Sequence, residues 1–178
     1  MDKKILIEKY FQIVVDKFSQ YMESNDFLLE TREIQNNSAQ VVFRSGSRYV
    51  KLLMNLDERD GPNYFNIVLG EGLSTYPEAD WNSIALWKLM ESHSHDNVGE
   101  YAIRLTDVKD VEKVIDLGLQ DLEGYGNEFM CGKISTFRKV RGKLNRDREP
   151  YIIHKFDKDK GRVSVVDPES ERLRKKFS

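Results

Sequence analysis

Between residues 3 and 23 the apolar side chains Ile7, Phe11, Val14, Phe18 and Tyr21 recur at spacings of four, three, four and three. That spacing lines one face of a helix. Asp2 is placed to cap its start, and "SND" at 24–26 is placed to end it. The period then changes. Four short runs follow, "FLLETREI", "QVVFR", "RYVKLLMNL" and "YFNIVLG", separated by "NNS", "SGS" and "DERDGPN". Val50, Leu52, Met54 and Leu56 share one face of the third run, and Phe65, Ile67 and Leu69 share one face of the fourth. Alternation with a period of two, broken by turn residues, predicts an antiparallel meander of about four strands over residues 26–70.

After residue 78 helical spacing returns. Trp81, Ile84, Ala85 and Leu89 predict a helix over 79–91. Val108, Val111, Ile115, Leu119 and Leu122 predict a second, opened by Thr106 or Asp107 and ending near Gly124. Met130, Ile134, Phe137 and Leu144 predict a third over 127–146, with Gly132 a weak point inside it. "PYIIHKFDKDKGRVSVVDP" reads as a hairpin, and "ESERLRKKFS" as a charged tail. The expected fold is α+β: an N-terminal helix, a four-stranded meander, a helical C-terminal half and a short terminal hairpin. Residues 1–150 form one domain in this reading, and 151–178 are an appendix packed on it.

The totals fit that picture. The chain has 178 residues, of which 39% are hydrophobic and 33% charged, enough for one real core. Its longest apolar run is four residues, Ile84 to Trp87, too short to cross a bilayer. Glu8 and Lys9 interrupt the N-terminal apolar run before it could serve as a signal peptide. One cysteine, Cys131, forms no internal disulfide, and it reads as a buried structural thiol in an apolar helix. The expected location is cytoplasmic.

Several chemistries come close to matching and fail. With Gly61 at the sixth position of a calcium loop, Leu56 and Ile67 fall at the first and twelfth positions. With Gly161 there, Phe156, Lys158 and Lys160 fall at ligand positions. Both segments read as turns. "GNEFMCGKIS" has five residues between its glycines and Ile134 where a phosphate loop needs a hydroxyl. His93 and His95, beside Asp96, are two apart and share no helix face. No metal, cofactor or catalytic residue is expected. An enzyme with an unrecognised active site stays open as an alternative.

Charge changes the picture more. From Asp57 to Glu100 nine acidic residues face two basic ones, a balance of −7. From Lys133 to Arg148 seven basic residues face one acidic, a balance of +6. The acidic half suggests docking on a basic protein partner through Asp57, Glu58, Asp60, Glu78 and Asp80, with Tyr76 and Trp81 as aromatic anchors. Helical spacing also offers Trp81 to the core. The alternative is nucleic-acid binding through Lys133, Arg138, Lys139, Arg141 and Lys143, although only Phe137 lies among them as an aromatic.

The order of an N-terminal helix, "VVFRSGSRYVKLLMNLDERDG", a strand ending "LGEG" and late helices containing "L..YGNEFMCGK...F" resembles small bacterial proteins of the kind found as immunity proteins beside secreted polymorphic toxins. The likeness spans about residues 3 to 146 and carries no functional residues with it. It implies a non-catalytic protein that works by occluding a toxin.

Overall fold

The computed structural model describes residues 3–56, 63–94, 99, 101–103, 108–159 and 161–178. Helix α1 (Lys3–Ser24) leads into four strands, β1 (Leu28–Ile34), β2 (Ser38–Ser45), β3 (Arg48–Asn55) and β4 (Tyr64–Glu71). The stretch 57–62 between β3 and β4 lies outside the described residues. A one-turn helix, α2 (Ala79–Asn82), runs into a short strand, β5 (Ser83–Ala85), and then into α3 (Leu86–Ser94). Strand β6 (Tyr101–Ala102), α4 (Val108–Tyr125), α5 (Asn127–Met130) and α6 (Ser135–Asp147) follow. The chain closes with the hairpin β7 (Ile152–Asp157) and β8 (Gly161–Val166), then α7 (Pro168–Phe177).

The main sheet is antiparallel, in the order β1-β2-β3-β4-β5, with β6 also on β4. Its register puts the alternating apolar positions in rows. Phe43 lies opposite Val50, which lies opposite Leu69, which lies opposite Ile84. Val41, Leu52 and Ile67 form the next row, and Ala39, Met54 and Phe65 the next. All of these side chains are buried. Helices α1, α3 and α4 cover this face, contributing Phe11, Val14, Phe18, Leu89, Ile115 and Leu122 to one continuous core. The α+β arrangement and the four-stranded meander therefore follow from the change of period along the chain. Helix α1 stops where Asp26 adopts φ 63° and the Phe27 N–H reaches back to the Met22 carbonyl at 2.9 Å.

Two expected helices are broken. The 79–91 helix is interrupted by β5, whose residues Ser83, Ile84 and Ala85 pair with Gly70, Leu69 and Val68. Strand β4 needs a partner on that edge, and Ile84 is better placed on the apolar face of the sheet than on a helix. The 127–146 helix divides at Gly132, which adopts φ +85°. The freed carbonyls of Phe129 and Met130 both accept from the Arg48 guanidinium, the latter at 2.6 Å, and that guanidinium also stacks over Phe27. Cys131 lies in this break and is exposed, which corrects its assignment to the interior.

The segment expected as a charged tail is helix α7. Asp167 caps it, accepting from the Glu169 and Ser170 N–H groups, and Pro168 occupies its first turn. Leu173 and Phe177 of α7 bury against Trp81, with Tyr151 alongside, in a second and smaller apolar cluster. Among the described residues no helix is long and apolar enough to cross a membrane.

Candidate interaction surface

The two halves of the charge pattern meet each other. Glu71, at the end of β4, accepts from Arg138 Nε at 2.9 Å and from Arg141 Nη1 at 3.3 Å, both cations on α6. Glu78 pairs with Lys176 of α7 at 3.1 Å. Asp80 accepts from the Tyr151 hydroxyl, and its backbone carbonyl accepts from Arg148 at 2.6 Å. Arg148 in turn lies over the Trp81 ring, 4.5 Å from its centroid. Glu71, Glu78 and Asp80 of the acidic half thus tie α6 and α7 to the end of the sheet.

Hydrogen bonds from Arg138 hold the Glu71 carboxyl below its ordinary range, against burial, which pushes it up. Burial also pushes Glu78 up, but bonds from the Leu73 N–H, Lys176 and Asn82 outweigh it and the net direction is down. Burial holds the Arg141 guanidinium below its ordinary value, with Glu71 opposing. A cleft of about 300 Å³ is lined by Glu71, Glu78, Arg138, Arg141, Lys176 and Phe177. Both of its carboxylates are held below their ordinary range, Glu71 chiefly by Arg138 and Glu78 chiefly by the Leu73 N–H.

This network fixes the shape of loop 72–78. Arg44 Nη1 donates to the Gly72 carbonyl at 2.9 Å, and Lys51 Nζ donates to the Ser74 carbonyl at 2.7 Å. Asn82 Nδ2 donates to the Leu73 carbonyl at 2.7 Å, and Glu78 Oε1 accepts from the Leu73 N–H at 3.1 Å. Asn82 is itself held by the Tyr49 hydroxyl. From this clamped backbone two apolar side chains point into solvent, Tyr76 at 72% exposure and Leu73 at 61%. Asp80 is exposed nearby.

The residues singled out from the sequence are distributed unevenly. Asp57, Glu58 and Asp60 lie outside the described residues. Tyr76 is presented outward, and Asp80 is exposed. Glu78 is turned inward to Leu73 and Lys176. Trp81 is fully buried, its ring 5.5 Å from that of Tyr151, so it is a core residue and not a surface anchor. Of the five cations offered for nucleic acid, Lys133, Lys139 and Lys143 are exposed, Arg138 is bound to Glu71, and Arg141 is buried. Two of the five are therefore engaged within the chain, Arg138 at the surface and Arg141 in the interior. His93 is exposed at the end of α3, with Nδ1 2.8 Å from the Leu89 carbonyl and its ring edge-on to Tyr125. His95 and Asp96 lie outside the described residues. Among the described residues no three His, Cys, Asp or Glu side chains converge as metal ligands do. The "DKDKG" segment is the turn of the terminal hairpin, where Asp157 Oδ1 accepts from the Asp159 N–H at 2.9 Å.

Sequence reasoning missed Leu73, Arg44 and Lys51. Leu73 lies in a Gly-Leu-Ser-Thr run whose polarity signals a loop, and an exposed leucine there has no periodic signature. No protein-family model matches this chain, and neither a curated protein nor a solved structure is significantly similar to it.

Proposed function

We propose that this chain is a non-catalytic binding protein that docks on another protein through loop 72–80, in the manner of a cytoplasmic immunity protein occluding a basic toxin domain. One observation carries the reading. Tyr76 and Leu73 stand in water on a backbone clamped by Arg44, Lys51, Glu78 and Asn82. An exposed aromatic on a pre-ordered loop loses little entropy on binding and suits an anchor at the centre of an interface. Exposed Asp80 beside it, with Asp57, Glu58 and Asp60 elsewhere in the acidic stretch, favours a basic partner. Toxins that cut nucleic acid carry such surfaces because they must hold phosphates. The exposed Cys131 thiol supports a reducing compartment.

The test is capture of a partner from native cell extract, followed by titration of that partner with two variants. A Leu73→Ser/Tyr76→Ala variant is expected to lose at least about tenfold in affinity, about 1.4 kcal/mol, with unchanged thermal unfolding. Charge reversal at Asp57, Glu58 and Asp60 is expected to weaken binding most at low salt. A partner whose affinity and salt dependence ignore both variants would overturn the reading.

A further inference from the structure

The terminal hairpin is an arm. Its root is firmly held: the Asp167 N–H donates to the Tyr151 carbonyl at 2.8 Å, the Tyr151 N–H donates to Ser170 Oγ at 2.9 Å, and the Tyr151 ring lies against buried Trp81. Beyond the root, β7 and β8 pair only with each other among the described residues. On one face Ile152, Phe156 and Val166 are exposed, Phe156 at 82%. A two-stranded hairpin alone in water is marginally stable, and on this face the Ile152–Val166 pair and Phe156 are exposed apolar groups flanking the His154–Ser164 pair, which a covering surface would take out of water. The outer edge of β8 offers Val163, Val165 and Val166, β-branched residues that favour pairing, with Ser164 among them and Arg162 as the one charge of the strand.

The same chain carries a fitting receptor. Strand β1 is the outer strand of the main sheet, so its far edge is unpaired among the described residues. Leu28 and Leu29 are exposed on it, at 69% and 56%. Two charges that would guard this edge are turned back into the molecule. Glu30 is bonded to the Arg44 guanidinium at 2.6 Å, and Arg32 donates to Gln12 at 2.8 Å while lying over the Phe11 ring. Lengths match: β1 has seven residues and β8 six. The hairpin is net positive, with Lys155, Lys158, Lys160 and Arg162 against Asp157 and Asp159, and β1 keeps the carboxylate of Glu33 after Glu30 is taken up by Arg44.

We propose that two copies of this chain exchange arms, β8 of each adding as a further strand to the β1 edge of the other. A two-fold exchange pairs the outer edge of β8 with the β1 edge in both directions and joins just two copies, with the outer edge of β7 left unpaired. The inference does not rest on the reading of loop 72–80, although Ser74 of that loop donates to Glu30 of β1 and its Asp80 accepts from Tyr151 at the root of the arm.

The test is sedimentation velocity on the full chain across a concentration series, with two variants made separately: Phe156→Asp/Val165→Asp on the arm and Leu28→Asp/Leu29→Asp on the edge. All four positions are on the hairpin or the outer strand, and circular dichroism before each run verifies that the fold is kept. The expected result is a species of twice the 20.8 kDa chain mass. Each variant should raise the dissociation constant at least about tenfold. A second readout mixes a Leu29→Cys chain with a Val165→Cys chain, both Cys131→Ser, and expects a disulfide between unlike chains on mild oxidation. A monomer at about 100 µM would overturn the proposal and leave the arm to a different protein. A dimer that ignores either variant, or unlike chains that fail to cross-link, would overturn it equally.

Discussion

The Tyr49 hydroxyl, buried beneath loop 72–78, donates to Asn82 Oδ1 at 2.7 Å, joining the third strand to the last residue of α2. Burial pushes the Tyr49 phenol up to about 12, so the donor stays protonated throughout the physiological range. Through Asn82 the same bond reaches the Leu73 carbonyl and hence the exposed loop. Tyr49→Phe removes the donor while keeping the ring, and leaves a buried amide oxygen unpaired. The expected cost is about 1–3 kcal/mol in a denaturant titration. A loss under about 0.5 kcal/mol would show that water replaces the bond.

Gly70 lies directly under the Tyr49 ring. A Cβ built there would come within 2.0 Å of the ring carbon bearing the hydroxyl. Gly70→Ala is therefore expected to destabilise by about 1–3 kcal/mol or more, through overpacking rather than backbone strain. In a Tyr49→Val background the same change should cost much less, and additive losses in the double-mutant cycle would refute the direct clash.

Glu71 gives the fold a defined acid sensitivity. Arg138 depresses its carboxyl below the reference value of 4.5, so its contribution is complete above that value and is lost as pH falls through the lower folded value. Glu71→Gln should destabilise by about 1–2 kcal/mol at neutral pH, discounted because Arg138 is solvent-exposed. The gap between the two proteins should narrow steadily below pH 4.5 in pH-resolved thermal melts. A gap independent of pH would mean that packing, not ionisation, is what Glu71 supplies.

Trp81 and Tyr76 make a paired test of core against surface. Trp81→Ala should cost about 3–5 kcal/mol, because it empties the cluster with Leu173, Phe177 and Tyr151. Tyr76→Ala should change stability by less than about 0.5 kcal/mol. Equal effects in chemical denaturation would mean that the two aromatics are not in the environments described.

Asp167 is the cap of α7, which carries Leu173 and Phe177 to Trp81. Asp167→Ala should cost about 1 kcal/mol and Asp167→Asn much less, since the amide oxygen can still accept from Glu169 and Ser170. Hydrogen exchange should show the loss concentrated in α7. Unchanged protection there would contradict the capping role.

Much of the fold was legible wherever one periodicity ran unopposed. Val50, Leu52, Met54 and Leu56 alternate strictly between the turn residues of "SGS" and "DERDGPN". Phe11, Val14 and Phe18 repeat at helical spacing over about two turns. The misreadings fall where local spacing and tertiary demand disagree. Trp81, Ile84 and Ala85 share helical spacing, yet Trp81 serves the small cluster under α7 while Ile84 completes the row with Leu69. Cys131 sits between apolar neighbours, yet the left-handed Gly132 turns the chain outward there. Asp167-Pro168 was a readable helix start, overshadowed by the density of charge that follows it.

By itself the sequence determined the class of the fold, the N-terminal helix followed by the four-stranded meander, the helical second half and the hairpin, and the face each long element buries. Those depend on side-chain period and on local backbone preference, which neighbours in the chain supply. Only the tertiary structure decided what the charges do. Glu71 and Arg138 lie 67 positions apart, Glu78 and Lys176 98 apart, and nothing in their local context says that they meet. Electrostatic attraction acts on distance in space, and the sheet sets that distance by bringing the end of β4 against α6 and α7. The same placement leaves Tyr76 in water and Trp81 out of it, though they stand five residues apart.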